Sequence, residues 1–235
     1  MELAKFEKQK EKFEIAVKEA ENISLVQNAG AAFKAVIIVN NLREALTDEI
    51  MKEVFMPLMN TKIGFLTDRD PKRKDKSGKS PVPYDIETVR DAIIDAASFG
   101  LLPTFNQFNI IAGKMYPTKE GYTGNLKRLG VKYIISFGPD LAKPDAKFSE
   151  ISYKINYEFR GEQKVLTGMA VTPKTSYSSY DQQKGKSERR AKKDLYEYLT
   201  GLDLGEDDGD FTPAEDVTGK VIDQKENDEP KQVQI

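Results

Sequence analysis

Between Ile151 and Phe159 the chain alternates without a break. Ile151, Tyr153, Ile155, Tyr157 and Phe159 fall on one side, and Ser152, Lys154, Asn156 and Glu158 on the other. Side chains of an extended backbone point alternately to opposite faces, so this period of two describes a strand with one face buried and one in water. Arg160-Gly161-Glu162-Gln163 reads as the turn that follows, Lys164 to Thr172 as the returning strand, and Val131 to Phe137 as a further strand. A sheet with one wet face needs cover on the other. The expected class is therefore α+β: an antiparallel β-sheet core with packed helices.

The helices are legible on either side. Thr118 or Lys119 opens one that runs to Leu129, with Tyr122, Leu126 and Leu129 on its apolar face and Gly130 as its stop. Lys119, Lys127 and Arg128 lie around it, opposed only by Glu120. Just before it, Phe108, Ile110 and Ile111 form a short strand, Gly113-Lys114 a turn, and Met115-Tyr116 a second strand. Asp85 caps a helix whose inner face is Ile86, Val89, Ile93 and Ala96-Ala97, closed by Gly100 and Pro103. Ser187 is placed to cap a last helix to Thr200, with Ala191, Leu195, Tyr198 and Leu199 inward and Arg189, Arg190, Lys192 and Lys193 outward. At the start, Leu3 to Asn22 has helical spacing (Phe6, Phe13, Val17, Ala20), and Leu42 to Met59 repeats apolar residues every four positions. Ser24 to Asn40 reads as a buried helix, with Val36 to Val39 open to a strand reading.

These elements divide the chain into a helical N-terminal region (1–60), a flexible basic linker (61–84), an α+β core (85–200) and a disordered acidic tail (201–235). Within the linker, Asp68 to Pro83 is rich in Lys and Arg and has no apolar anchor until Val82. It is either a plain surface loop or an arm that touches phosphates. The tail carries 11 Asp+Glu against 3 Lys, whereas Lys62 to Lys193 carries 25 basic against 15 acidic residues, a net of +10. A basic body with an acidic tail fits a nucleic-acid binder, and fits equally a solvated surface with a solubilising tail. With no His and no Cys, zinc sites, disulfides and imidazole or thiol catalysis have no residues to use. No G-x-x-x-x-G-K-[ST] phosphate loop is present. No apolar run approaches the ~20 residues of a membrane span, and a cytoplasmic location is expected.

The helix-ending Ala96-Ala97-x-x-Gly100-Leu101-x-Pro103, behind a helix that opens at Asp85 and ahead of a basic strand–turn–strand, resembles the RecT family of phage single-strand annealing proteins. Asp85-Ile86-Glu87 stands in place of the family's Asp-Pro-x-Ser, and Leu102 in place of an acidic residue. The likeness extends over about Leu42 to Thr200. It implies ATP-independent binding and annealing of complementary single strands in phage-type recombination, without hydrolytic chemistry or a cofactor. It also implies a core like that of strand-annealing recombinases and a homo-oligomer, ring or filament. The partners would be single-stranded DNA, the annealed duplex, and a phage exonuclease or host single-strand-binding protein.

On this reading the DNA groove is lined by Lys114, Lys119, Lys127, Arg128, Lys132, Lys174, Tyr177, Arg189, Arg190 and Lys193. Tyr177 and Tyr180, set among basic residues, suit stacking on unpaired bases, or else pack back on the core. Two other classes compete. Pro144-Asp145 followed by Glu162-Gln163-Lys164 matches the P-D…(D/E)-x-K pattern of Mg²⁺-dependent nucleases, although Glu162 falls in the expected turn. The other is a phage structural or adaptor protein with no nucleic-acid role.

Overall fold

A computed structural model describes residues 3–23, 29–74, 78–143, 146–174 and 178–201. A 3-10 turn at Leu3–Phe6 leads into α1 (Glu7–Ile23), which packs on α2 (Ala29–Ala45). Lys12 reaches Glu44 across 3.2 Å, and Lys5 reaches Glu49 and Glu53 at 2.9 and 2.8 Å, so the two helices run antiparallel. The chain breaks at Leu46-Thr47 instead of continuing to Met59. The Thr47 hydroxyl accepts the Ile50 amide and opens α3 (Asp48–Ile50), which runs through a π turn (Met51–Phe55) into a 3-10 turn (Met56–Leu58).

α2 is a helix throughout, but it is not buried as its composition suggested. It turns Ile38, Leu42 and Ala45 inward and leaves Phe33, Val36 and Ile37 exposed. The reason is geometric: α1 and α4 (Ile86–Ser98) cover only one of its faces.

The stretch expected to be a flexible linker is anchored near its two ends. It supplies buried Phe65, whose ring stacks on Phe108 at 5.3 Å, and β1 (Leu66–Thr67), which pairs in parallel with β2 (Phe108–Ile111). β2 then pairs antiparallel with β3 (Lys114–Pro117). Val82 is exposed, and the anchor is Tyr84. Its hydroxyl donates to Asp68 Oδ1 (2.8 Å) and accepts the Gly113 amide (2.8 Å), while Asp68 Oδ2 accepts the Ala112 amide (3.0 Å). Burial, reinforced by the Asp68 carboxylate, pushes the Tyr84 hydroxyl above its ordinary range.

The β2–β3 and β5–β6 hairpins turn on two residues with left-handed backbone, Ala112-Gly113 (φ 50° and 77°) and Arg160-Gly161 (φ 51° and 80°). Such turns match the twist of the flanking strands. Each therefore differs from the expected turn, and Glu162 already belongs to a strand.

The second sheet is antiparallel, in the order β4 (Lys132–Asp140), β5 (Phe148–Phe159), β6 (Glu162–Pro173). α5 (Lys119–Arg128) and α6 (Tyr180–Thr200) cover one face, burying Tyr122, Leu126, Tyr153, Ile155, Ala170, Ala191 and Leu195 together. The other face leaves Ile134, Val165, Met169 and Val171 exposed. The class is α+β, with two three-stranded sheets, one mixed and one antiparallel, where a single antiparallel sheet was expected. No described helix is long and apolar enough to cross a membrane.

Candidate nucleic-acid interface

α5 is the joint between the two sheets, and this decides what its cations can do. α4 ends at Phe99 and Gly100, with the Leu101 amide bonding back to Ala96 O (2.8 Å) and the Gly100 amide to Ala97 O (2.9 Å). That pairing satisfies two of the helix's terminal carbonyls. α5 takes two more: Asn125 Nδ2 donates to Phe99 O at 2.9 Å, and the Arg128 guanidinium donates to Gly100 O and to Asn125 Oδ1. Arg128 is thus a clamp between helices, although its helix position suggested a charge available to a ligand. Lys119 pairs with Glu188 of α6 (3.7 Å) and approaches Glu120 (4.0 Å). Lys127 is exposed, with no ion-pair partner among the described residues, and so is Lys114 on β3.

α6 is two turns longer than the sequence suggested. Ser179 and Gln182 form a reciprocal cap, the Ser179 hydroxyl accepting the Gln182 amide (3.3 Å) and Gln182 Oε1 accepting the Ser179 amide (3.0 Å). Ser187, expected to be the cap, is buried mid-helix and donates to Gln183 O (3.0 Å). The helix also presents a different face. Lys192 and Lys193, expected to face outward, are buried, and α5 packs against the Lys192 side of α6. Lys192 is held by Glu188 (2.5 Å) and Thr123 (2.9 Å), and Lys193 lies 3.6 Å from Glu197. Arg190 pairs with Asp194 at 3.1 Å, Asp194 in turn accepts the Tyr153 hydroxyl, and Arg189 is only half-buried.

The expected groove is therefore dispersed. Lys132 sits at the Arg160-Gly161 end of the second sheet, paired with Glu158 (3.3 Å), and Lys174 at the opposite end. Tyr177 lies outside the described residues, as do Pro144 and Asp145 of the nuclease-like pattern. Glu162 and Lys164 of that pattern neutralise each other at 2.6 Å on the exposed start of β6. Among the described residues no group of three or more acidic side chains could hold a metal ion.

The end that holds Lys174 gathers more charge than any single residue of the expected groove announced. The Tyr180 hydroxyl donates to Gly138 O (3.0 Å), Lys184 Nζ lies 5.8 Å from the Phe137 ring centre, and Lys186 Nζ donates to Pro173 O (3.0 Å). The Lys174 amide bonds Lys147 O (2.8 Å), and Phe148 stands opposite Pro173 in the sheet. So the N-terminus of α6, the outgoing end of β6 and the loop joining β4 to β5 meet. They bring together Lys143, Lys147, Lys174, Lys184 and Lys186, with exposed Tyr180 and Phe148 among them. The helix N-terminus adds its own partial positive charge.

Asp140 organises this end. It accepts the amides of Glu150 (2.8 Å) and Ala142 (3.1 Å) and the Ser149 hydroxyl (2.8 Å), and it pairs with Lys174 (3.3 Å). Burial alone would raise its carboxyl, but these four partners outweigh that and bring it down to about 2. Lys143, Lys147 and Lys184 have no ion-pair partner among the described residues, which leaves them available to an anionic ligand. Comparison of the chain with protein-family models, with curated proteins and with solved structures returns no match.

Proposed function

We propose that the chain binds single-stranded DNA through the lysine-rich end of its second sheet and anneals complementary strands without ATP. The observation that carries this reading is the convergence of Lys143, Lys147, Lys174, Lys184 and Lys186 with exposed Tyr180 and Phe148 at the N-terminus of α6. Cations neutralise phosphates and release condensed counterions, and aromatic rings stack on unpaired bases. Annealing asks for no more chemistry than this. The strands need their charge neutralised and their bases left open to test register. The net +10 between Lys62 and Lys193 supports the same reading, as does the resemblance of the Ala96–Pro103 segment to RecT-like proteins.

The assembly is a homo-oligomer. Exposed Phe33, Val36 and Ile37 on α2, and Ile134, Val165 and Val171 on the open sheet face, are apolar surface of the kind that subunit contacts cover. An annealing assay on complementary oligonucleotides, with and without ATP and Mg²⁺, tests the activity. The expected outcome is faster pairing that needs neither. Cleavage with Mg²⁺ would transfer the protein to the nuclease class.

A further inference from the structure

The opposite end of the same sheet holds a cleft of about 350 Å³ between the β5–β6 hairpin and the last turns of α6. This is near the lower limit of small-ligand sites, roughly 300–1,000 Å³. Its walls include Tyr157, Phe159 and Tyr198, with Arg160, Lys164 and Glu162 at the same place. The lining sets three aromatic rings and two cations against a single carboxylate.

Three features mark the cleft as built for an occupant. Tyr198 lines the cleft beside Tyr157 and remains 62% exposed. An exposed aromatic ring at the wall of a cleft is a ready stacking platform. Arg160 lies in the left-handed region (φ 51°), where a side chain is disfavoured, and its guanidinium sits over the Phe159 ring at 4.9 Å. A glycine or asparagine would make the same turn with less strain, so the turn alone does not account for an arginine there. Lys164 lines the same cleft, held 2.6 Å from Glu162.

We infer that this cleft receives one unpaired base of a single strand, stacked on Tyr198, with Arg160 and Lys164 beside its flanking phosphate. The inference rests on the proposed single-strand binding and adds a second, distant contact to it. β5 spans twelve residues between the two ends, about 36 Å at ~3.3 Å per residue. A strand engaging both ends must cover that distance, about 11 nucleotides at the 3.4 Å spacing of duplex DNA and fewer when stretched. A base in a duplex is already paired and stacked, so the cleft favours single strands over duplex.

The test is a salt titration of fluorescent oligo-dT binding for the full chain and for Tyr198→Ala, Tyr198→Phe and Lys147→Ala/Lys184→Ala. Thermal unfolding of each variant confirms that it folds. Loss of one base stack by Tyr198→Ala should weaken binding about tenfold at every salt concentration, with the log–log salt slope unchanged. Tyr198→Phe should bind like the parent, because the ring and not the hydroxyl makes the stack. Duplex binding should not respond to either. The lysine variant should instead lower the slope. Parent-like affinity in Tyr198→Ala, beside a lowered slope in the lysine variant, would overturn the cleft and leave the proposed function standing. Equal loss in Tyr198→Phe would also overturn it, since the hydroxyl and not the ring would then be what matters. No binding of oligo-dT by the parent would sink both.

Discussion

Asp140 shows how one carboxylate can set the shape of a charged surface. It gathers two amides, a hydroxyl and the Lys174 ammonium at the point where β4 ends and β5 begins. Its folded value of about 2 lies below the 3.8 of an ordinary aspartate. A depressed carboxyl contributes stability that is complete above the unfolded value and is lost as pH falls through the folded one. Asp140→Asn should therefore unfold at lower urea than the parent at pH 7, and the gap between the two should close between about pH 4 and pH 2. A gap that stays constant over that range would mean that Asp140 acts by shape alone. The lysines around it were individually visible in the sequence. Their convergence was not, because Lys147, Lys174 and Lys184 lie on three different elements and only the β5–β6 register and the docking of α6 bring them together.

At the scale of elements, local signals were reliable and partnership was not. The strict alternation from Ile151 to Phe159, the Asp85 cap and the Gly100 and Gly130 stops each depend on neighbours in sequence, and each lies where it was expected. The length of α6 was misjudged because the Ser179–Gln182 cap precedes a polar stretch with no apolar period, whereas Ser187 precedes a clear one. The outward direction of Lys193 failed for a different reason. It is 2% exposed in the folded chain, a tertiary fact with no local trace. Arg128 is the sharpest case, since helix position marks it as solvent-facing while its guanidinium serves the carbonyl at the end of α4. Arg128→Ala should lower stability by about 1–2 kcal/mol, the order of a charge-assisted hydrogen bond. Lys127→Ala, one position away, should stay within about 0.5 kcal/mol. Chemical denaturation of the two variants checks this, and equal stabilities would show that the clamp contributes nothing.

For the whole molecule, the lysine-rich end of the second sheet and the exposed apolar stripe of α2 lie in different places. The lysine-rich end of the second sheet is available to a polyanion, while the outer stripe of α2 and the open face of the sheet are available to protein. Phe33→Glu/Ile37→Glu should reduce the mass found by light scattering without lowering the thermal transition, because both side chains are already exposed. A parent protein that is monomeric both free and with single-stranded oligonucleotide would contradict the oligomer. In the proposed function, Lys147 and Lys184 meet phosphates of a single strand. Each phosphate contact on a single strand contributes about 0.7 to the log–log slope of affinity against salt. The most direct measurement is that slope for Lys147→Ala/Lys184→Ala beside the parent. The slope should be smaller by about 1.4, with sequence preference unchanged because phosphate contacts carry no base information. An unaltered slope with unaltered annealing would place the DNA elsewhere on the molecule and rule out the lysine-rich end as its site.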